Sequence, residues 1–245
     1  MRLKEYSKEG KDNQQIFSEK GNNFYNWIFE EIKPYLRGNI LEIGSGVGNF
    51  SKILLENFPD NQLILSDFDK YFLSILSKKY SKNDKIIIEY LDLNNIEIFK
   101  NNNYKIDTCI AINILEHIDN DIKALENIYN ILEPDGKLIL LIPAHKFLYN
   151  IIDKDIGHYR RYTKKEIIKK ISLTSFNILN IYYFNFIAMF GWFLNGKFFK
   201  KSIINENALG FYNKLIPLLK IIDKYIVFKK IGMSLILILN KEPFS

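Results

Sequence analysis

The chain has 245 residues, 47% hydrophobic and 25% charged, which is enough apolar mass for one full α/β core and too little compositional bias for disorder. The single Cys109 excludes an internal disulfide, and inside the apolar run from 108 to 112 it reads as a buried, inert thiol in a reducing compartment. Charge is uneven: residues 1–140 carry 17 Lys and Arg against 22 Asp and Glu, whereas residues 141–245 carry 17 against 6, so the second part predicts an anionic partner such as phosphate, anionic lipid or nucleic acid.

In chain order, residues 1–13 are polar. Residues 14–36 place Ile16, Phe17, Phe24, Trp27, Ile28 and Ile32 at helical spacing, ended by Pro34 and Gly38, so residues 1–36 are expected to form a helical lid. Strands are predicted over 39–43, 62–66, 85–90, 106–112 and 137–142, alternating with helices over 50–57, 70–80 and 119–132. The strands are near-continuous apolar runs, as in a parallel sheet covered on both faces. A basic helix over 163–171 follows, then a sixth strand over 177–184 and a seventh over 233–241. The connection between those two is far longer than the usual ~2–6 residues. Its pattern (186–199, then 208–228 broken by Pro217) predicts a helical cap inserted over 186–230. The expectation is one domain of 1–245: a Rossmann-like, doubly wound, seven-stranded sheet, six strands parallel and one antiparallel.

The first strand runs into Gly44-Ser45-Gly46-Val47-Gly48 and then a helix. Such a turn lets a ligand lie against the backbone at a helix N-terminus. A dinucleotide fold wants a third glycine where Asn49 stands, and acidic Glu42 before the turn is ill suited to a pyrophosphate; a nicotinamide-dependent oxidoreductase is therefore the less favoured alternative.

The run from Ile40 to Phe50 resembles motif I of the class I S-adenosylmethionine-dependent methyltransferases, small-molecule branch, and later stations fall in order. The resemblance implies S-adenosylmethionine as cofactor, with Glu42, Gly44, Ser45, Gly46 and Gly48 in its cradle. It implies that Asp67 clasps the ribose hydroxyls, that Phe68 packs on the adenine, that Asp92 with Leu93 meets the adenine amino group, and that Asn113 lines the methionine end. Asp67 as a helix N-cap and Asp92 as an ordinary turn residue are the structural alternatives.

The acceptor site is expected from the segments after strands four, five and six, on the carboxyl edge of the sheet. Leu115-Glu116-His117 is frequent in the small-molecule branch, and the chain lacks the Asn/Asp-Pro-Pro-aromatic motif of the DNA amino-methyltransferases, so no nucleic-acid base is expected. Residues 157–162, Gly-His-Tyr-Arg-Arg-Tyr, resemble a bacterial subgroup associated with surface-glycan or lipid-linked sugar pathways. Arg160 or Arg161 is expected to grip a phosphate or carboxylate beside Tyr159, with His158 or His117 meeting the acceptor's hydroxyl. The alternative is a structural network of Arg with Asp153 or Asp155, with Thr163 capping the next helix. His145 is the weakest catalytic candidate. Three dispersed histidines predict no metal site.

Trp192 is expected at the substrate, and the aromatics and lysines of the cap (Lys197, Lys200, Lys201, Lys220, Lys224, Lys229, Lys230) suit either a bilayer interface, or a cap packed on the sheet or a dimer interface. There is no apolar leader at residues 1–8, and the stretch 181–194 falls short of the ~20 residues a spanning helix needs. A cytoplasmic protein with peripheral contact to the inner face of a membrane is expected. It would transfer a methyl group, at oxygen, to a small-molecule, sugar or lipid-linked acceptor; a quinone-type acceptor, or a non-catalytic cofactor-binding module, are the other readings.

Overall fold

A computed structural model describes residues 21–102, 104–194 and 206–242. Seven strands form one sheet in the order β3-β2-β1-β4-β5-β7-β6. They are β1 (Ile40–Ile43), β2 (Leu63–Asp67), β3 (Ile86–Tyr90), β4 (Thr108–Ile112), β5 (Lys137–Pro143), β6 (Asn177–Phe184) and β7 (Ser234–Asn240). β7 runs antiparallel to both β5 and β6, and the pairings among β1 to β5 are parallel, as the strand pattern predicted.

The helices are α1 (Asn22–Ile32), α2 (Asn49–Asn57), α3 (Lys70–Tyr80), α4 (Glu97–Lys100), α5 (Asp121–Ile131), α6 (Ile151–Asp155), α7 (Lys164–Ile171), α8 (Phe186–Phe193) and α9 (Glu206–Ile221). Their starts follow local chemistry. Asp69 caps α3 through the N–H of Tyr71, Asn120 caps α5 through that of Lys123, and Thr163 caps α7 through that of Glu166. The period of two along β1 and β4 divides the core: Leu41, Ile43, Cys109 and Ala111 face one layer with Leu125 and Ile167, while Ile40 and Ile110 face the other with Trp27, Leu54 and Leu76.

One expectation needs correction. Pro217 does not break the cap: α9 runs through it and continues as a π turn over Ile222–Ile226. Proline removes the donor that Asn213 O would receive, and Asn23 Nδ2 on α1 supplies it at 3.0 Å. The N-terminal helix starts at Asn22, and its expected first turns over 14–20 lie outside the described residues, as do Lys197, Lys200 and Lys201 of the cap. The short α4 and α6, and the 3-10 turns Leu115–His117 and Lys146–Leu148, are too brief to show a helical period in sequence.

The cap leaves and rejoins the sheet at a narrow neck. Met233 N donates to Asn185 O at 3.1 Å. The Asp223 carboxylate accepts from Asn185 N at 2.6 Å and Phe186 N at 2.8 Å. A Cβ on Gly232 would stand 2.4 Å from Phe184 O, so glycine is what lets the two chains converge there.

Candidate functional site

A cleft of about 400 Å³ opens at the carboxyl ends of β1, β2, β4 and β5, where an open α/β sheet places its ligands. Its floor is the glycine turn. Gly44 and Ser45 donate their N–H groups to Ser66 O at 2.8 and 2.9 Å, tying the turn to β2. Gly44, Gly46 and Gly48 all have positive φ. A Cβ on Gly44 would meet the Ile114 side chain at 2.0 Å, while one on Gly46 would meet nothing within 4 Å and would project into the cleft.

Two buried carboxylates face this floor. Glu42, at the end of β1, accepts a hydrogen bond from the Ser51 hydroxyl, and burial pushes its carboxyl up to about 7. Asp67, at the end of β2, accepts from Gly46 N at 3.0 Å and Asp69 N at 3.0 Å; burial still raises its pKa. Asp69, not Asp67, is the helix cap, which leaves Asp67 to the cleft. Phe68 and Phe72 add an apolar wall, and Asn113, at φ 53 after β4, lines the cleft beside Ile112 and Ile114.

Two residues expected at the cofactor lie outside the cleft lining. Asp92 is outside the lining: its Oδ1 accepts from Asn94 N at 2.8 Å and Asn94 Nδ2 at 2.9 Å, closing its own turn, and Leu93 beside it is buried in the core. Gly48 is also outside the lining, as the αL cap of α2 packed against Leu76 and Tyr80.

The acceptor end is organised by Asp153, whose side chain is fully buried. Its Oδ1 meets His158 Nδ1 and Arg161 Nε, both at 2.8 Å, and its Oδ2 accepts from Asn150 N at 3.0 Å and Trp192 Nε1 at 3.2 Å. Burial alone would raise this carboxyl, but the hydrogen bonds and charges of His158 and Arg161 outweigh it and hold it below its usual value. Arg161 also donates to Ala144 O at 3.3 Å and lies over the Trp192 ring at 4.8 Å, while its Nη2 is buried without a partner. His117, His158, Arg161 and Trp192 all line the cleft.

The other half of the 157–162 run points away. Arg160 donates to Asp121 Oδ2 at 2.9 Å and Asp119 O at 2.9 Å, and Tyr162 Oη donates to Asp121 Oδ2 at 3.0 Å. Tyr159 is 36% exposed with Arg160 over its ring. Arg160 and Tyr159, both expected at the substrate, are therefore outside the cleft lining, and the structural network weighed as the alternative is present alongside the cleft-facing pair. His145 too is elsewhere, stacked on Tyr183 at 5.1 Å.

His117 and His158, far apart in sequence, meet edge to face at 4.7 Å. Glu116 lies behind them, fully buried, its carboxyl pushed up to about 8 by burial, and both its oxygens lack a hydrogen-bond partner. Burial pushes the His117 ring down to about 3, with His158 beside it adding to that. Against the sequence expectation of no metal site, Glu116, His117 and His158 bring donor atoms within 4.8 Å of one another. Sequence reasoning also missed Tyr25, Asn185, Tyr212 and Ser234 in the lining. The first three sit on helices or at their caps in segments with no motif, and only their apolar neighbours carried a signal.

The cradle discriminates between ligands. Two buried acids beside a bare backbone floor repel a pyrophosphate and suit a ligand that is cationic at one end and bears hydroxyls at the other; the phenylalanine wall suits a flat ring. S-adenosylmethionine has these parts, so Glu42, Asp67, Phe68 and the Gly44–Gly46 backbone are the residues that would hold it.

Comparison with known proteins agrees. The family described as "Methyltransferase domain" matches residues 41–138. "Probable polyketide synthase 40" of Dictyostelium discoideum is 33% identical over 141 residues, 49% of this chain and 6% of that protein. "Malonyl-[acyl-carrier protein] O-methyltransferase 1" of Ilyobacter polytropus is 25% identical over 149 residues, 58% of this chain, which thus spans about half (53%) of that relative's length. In fold, an S-adenosylmethionine-dependent methyltransferase from Clostridium acetobutylicum superposes with a TM-score of 0.57 at 16% identity, covering 90% of this chain and 91% of that one. Residues 41–138 thus resemble a methyltransferase domain, and the sheet order, glycine cradle and paired acids agree with that likeness and suit S-adenosylmethionine as its cofactor.

Proposed function

We propose that the chain transfers a methyl group to an oxygen atom of a small, anionic acceptor of the sugar or lipid-linked class. The observation that carries this reading is Arg161: a buried guanidinium at the cleft wall with one nitrogen unpartnered, next to His117 and His158. A buried cationic donor with a spare N–H is satisfied by a carboxylate or phosphate oxygen. Bound S-adenosylmethionine, which Glu42, Asp67, Phe68 and the Gly44–Gly46 backbone would hold, would supply an electrophilic methyl group on its sulfonium. The protein's part is to hold the acceptor in line and exclude water; alignment of this kind is worth roughly 7–11 kcal/mol. Asp153 fixes His158 and Arg161 in one frame, and Trp192 holds the guanidinium plane from above. The relative named for O-methylation supports oxygen as the acceptor atom.

The cap supports a lipid-linked acceptor. Phe211, Tyr225, Ile226 and Phe228 are each 60% exposed or more, among Lys220, Lys224, Lys229 and Lys230, while Ala188, Gly191, Leu209 and Tyr212 of the same segment line the cleft. No helix among the described residues is long and apolar enough to cross a membrane, so the contact in this reading is at the surface.

Calorimetry tests the reading. Micromolar binding of S-adenosylmethionine is expected, weakened at least tenfold in Asp67→Ala. No heat at millimolar ligand would overturn it. With an acceptor in hand, Arg161→Lys is expected to raise KM with a smaller effect on kcat; a silent change would mean an uncharged acceptor.

A further inference from the structure

We propose that Glu116, His117 and His158 form a binding site for one divalent transition-metal ion, zinc being the best match to the donor set, with its open side toward the acceptor end of the cleft. The inference deepens the methyl-transfer reading only in the role it gives the ion; binding of the ion stands on the residues themselves.

Two imidazoles and one carboxylate are the ligand set of a catalytic zinc site, which leaves a fourth position for water or substrate. The three donors lie within 4.8 Å of one another, and the His158 Nε2 to Glu116 Oε1 separation is 3.6 Å. A tetrahedral ion with bonds of about 2.0–2.2 Å wants donors roughly 3.3–3.6 Å apart, so one pair is already at that spacing and the third donor needs a shift of about 1 Å.

The outer shell is in place. Ligating histidines tie their other ring nitrogen to a carboxylate or a backbone carbonyl. His158 Nδ1 is held by Asp153 at 2.8 Å, and the His117 ring is hydrogen-bonded to the backbone of Gly157.

The independent observation is Glu116. It is 0% exposed, and neither carboxylate oxygen has a hydrogen-bond partner. Its nearest cationic groups, His158 Nε2 at 3.6 Å and Arg161, make no hydrogen bond to it, and a buried acid left so is costly. An ion between Glu116 and the two imidazoles gives the buried acid its partner. Because His117 and His158 line the cleft and Glu116 lies behind them, the free coordination position faces the acceptor. There the ion would hold an acceptor oxygen by a lone pair beside Arg161, setting its orientation toward the methyl donor.

The test uses tag-free full chain, stripped with a chelator and dialysed against zinc or cobalt(II). Mass spectrometry of the metal content is expected to give one equivalent per chain, and the cobalt form a visible absorption band of nitrogen and oxygen coordination. His158→Ala and Glu116→Gln should each lower metal affinity at least a hundredfold, with circular dichroism and S-adenosylmethionine affinity retained. Should His158→Ala fail to fold, the isosteric Glu116→Gln and the cobalt spectrum of the unaltered chain decide. Less than a tenth of an equivalent, or full metal retention in a folded variant, would overturn the site. Loss of S-adenosylmethionine binding by the metal-loaded chain would overturn the methyl-transfer reading instead.

Discussion

Glu42 ends β1 with its carboxyl held between two demands: the core that buries it favours the proton, and a cationic ligand in the cleft favours the anion. With its pKa raised to about 7 by burial, the acid is mostly neutral in the ligand-free protein at pH 6 and mostly ionised at pH 8. A cation that binds the ionised form must therefore bind more weakly as pH falls through 7. S-adenosylmethionine affinity measured by calorimetry is expected to drop roughly tenfold from pH 8 to pH 6, and Glu42→Gln to be uniformly weak with that slope removed. The opposite slope would mean that Glu42 acts as a neutral hydrogen-bond donor. Asp67 complements it one strand over, its oxygens already engaged by Gly46 N and Asp69 N, which explains why this acid is fixed in place before any ligand arrives.

At the scale of elements, α6 and the loop that follows it are held to the sheet by two acids, each gathering several donors. Asp153 takes His158, Arg161, Asn150 and Trp192; Asp121 takes Arg160, Tyr162 and Lys170. The two arginines are adjacent in sequence but unequal in consequence. Arg161→Ala leaves a buried carboxylate short of its guanidinium partner and is expected to cost about 3 kcal/mol or more in chemical denaturation. Arg160→Ala is expected to cost about 1 kcal/mol, since its side chain is 22% exposed and Lys170 at 2.8 Å still neutralises Asp121. Equal losses would show that the two acids do not play distinct parts. This is also where sequence reading reached its limit. The strands from Ile40 to Pro143 were legible because Ile and Leu runs between turn residues admit few other folds, and the glycine turn announced the cradle. Arg160 and Arg161 are chemically identical, and which of them turns inward depends on where Asp121 and Asp153 lie in space. Asp92 looked like a ligand for the same reason Asp67 did, and sequence alone does not show that Asn94 beside it draws one of its oxygens into a turn. Glu116, His117 and His158 meet only once the turn after β4 and the loop after β5 are brought side by side.

For the molecule as a whole, the asymmetry of charge becomes one of surface. Phe190, Leu218, Ile221, Tyr225, Ile226 and Phe228 of the cap are exposed, with Lys224 and Lys230 nearby, while Lys220 and Lys229 pair with Glu30 and Glu31 of α1. In a flotation assay the chain is expected to rise with vesicles containing anionic lipid, less so with zwitterionic vesicles or at high salt, and Ile226→Asp with Phe228→Asp to abolish it. No flotation with anionic vesicles would leave the exposed apolar face to another role. The neck of this cap carries a broader implication. β6 and β7 are hydrogen-bonded neighbours, so everything between Asn185 and Met233 is, topologically, one enlarged hairpin loop whose two stems are clasped by a backbone bond and by Asp223. Lengthening such a loop costs free energy only logarithmically once its ends are joined. Evolution, or an engineer, can therefore graft a different canopy onto the same stems and change which acceptors are admitted, while Glu42, Asp67 and the glycine turn, all carried by β1 and β2, keep their places on the sheet.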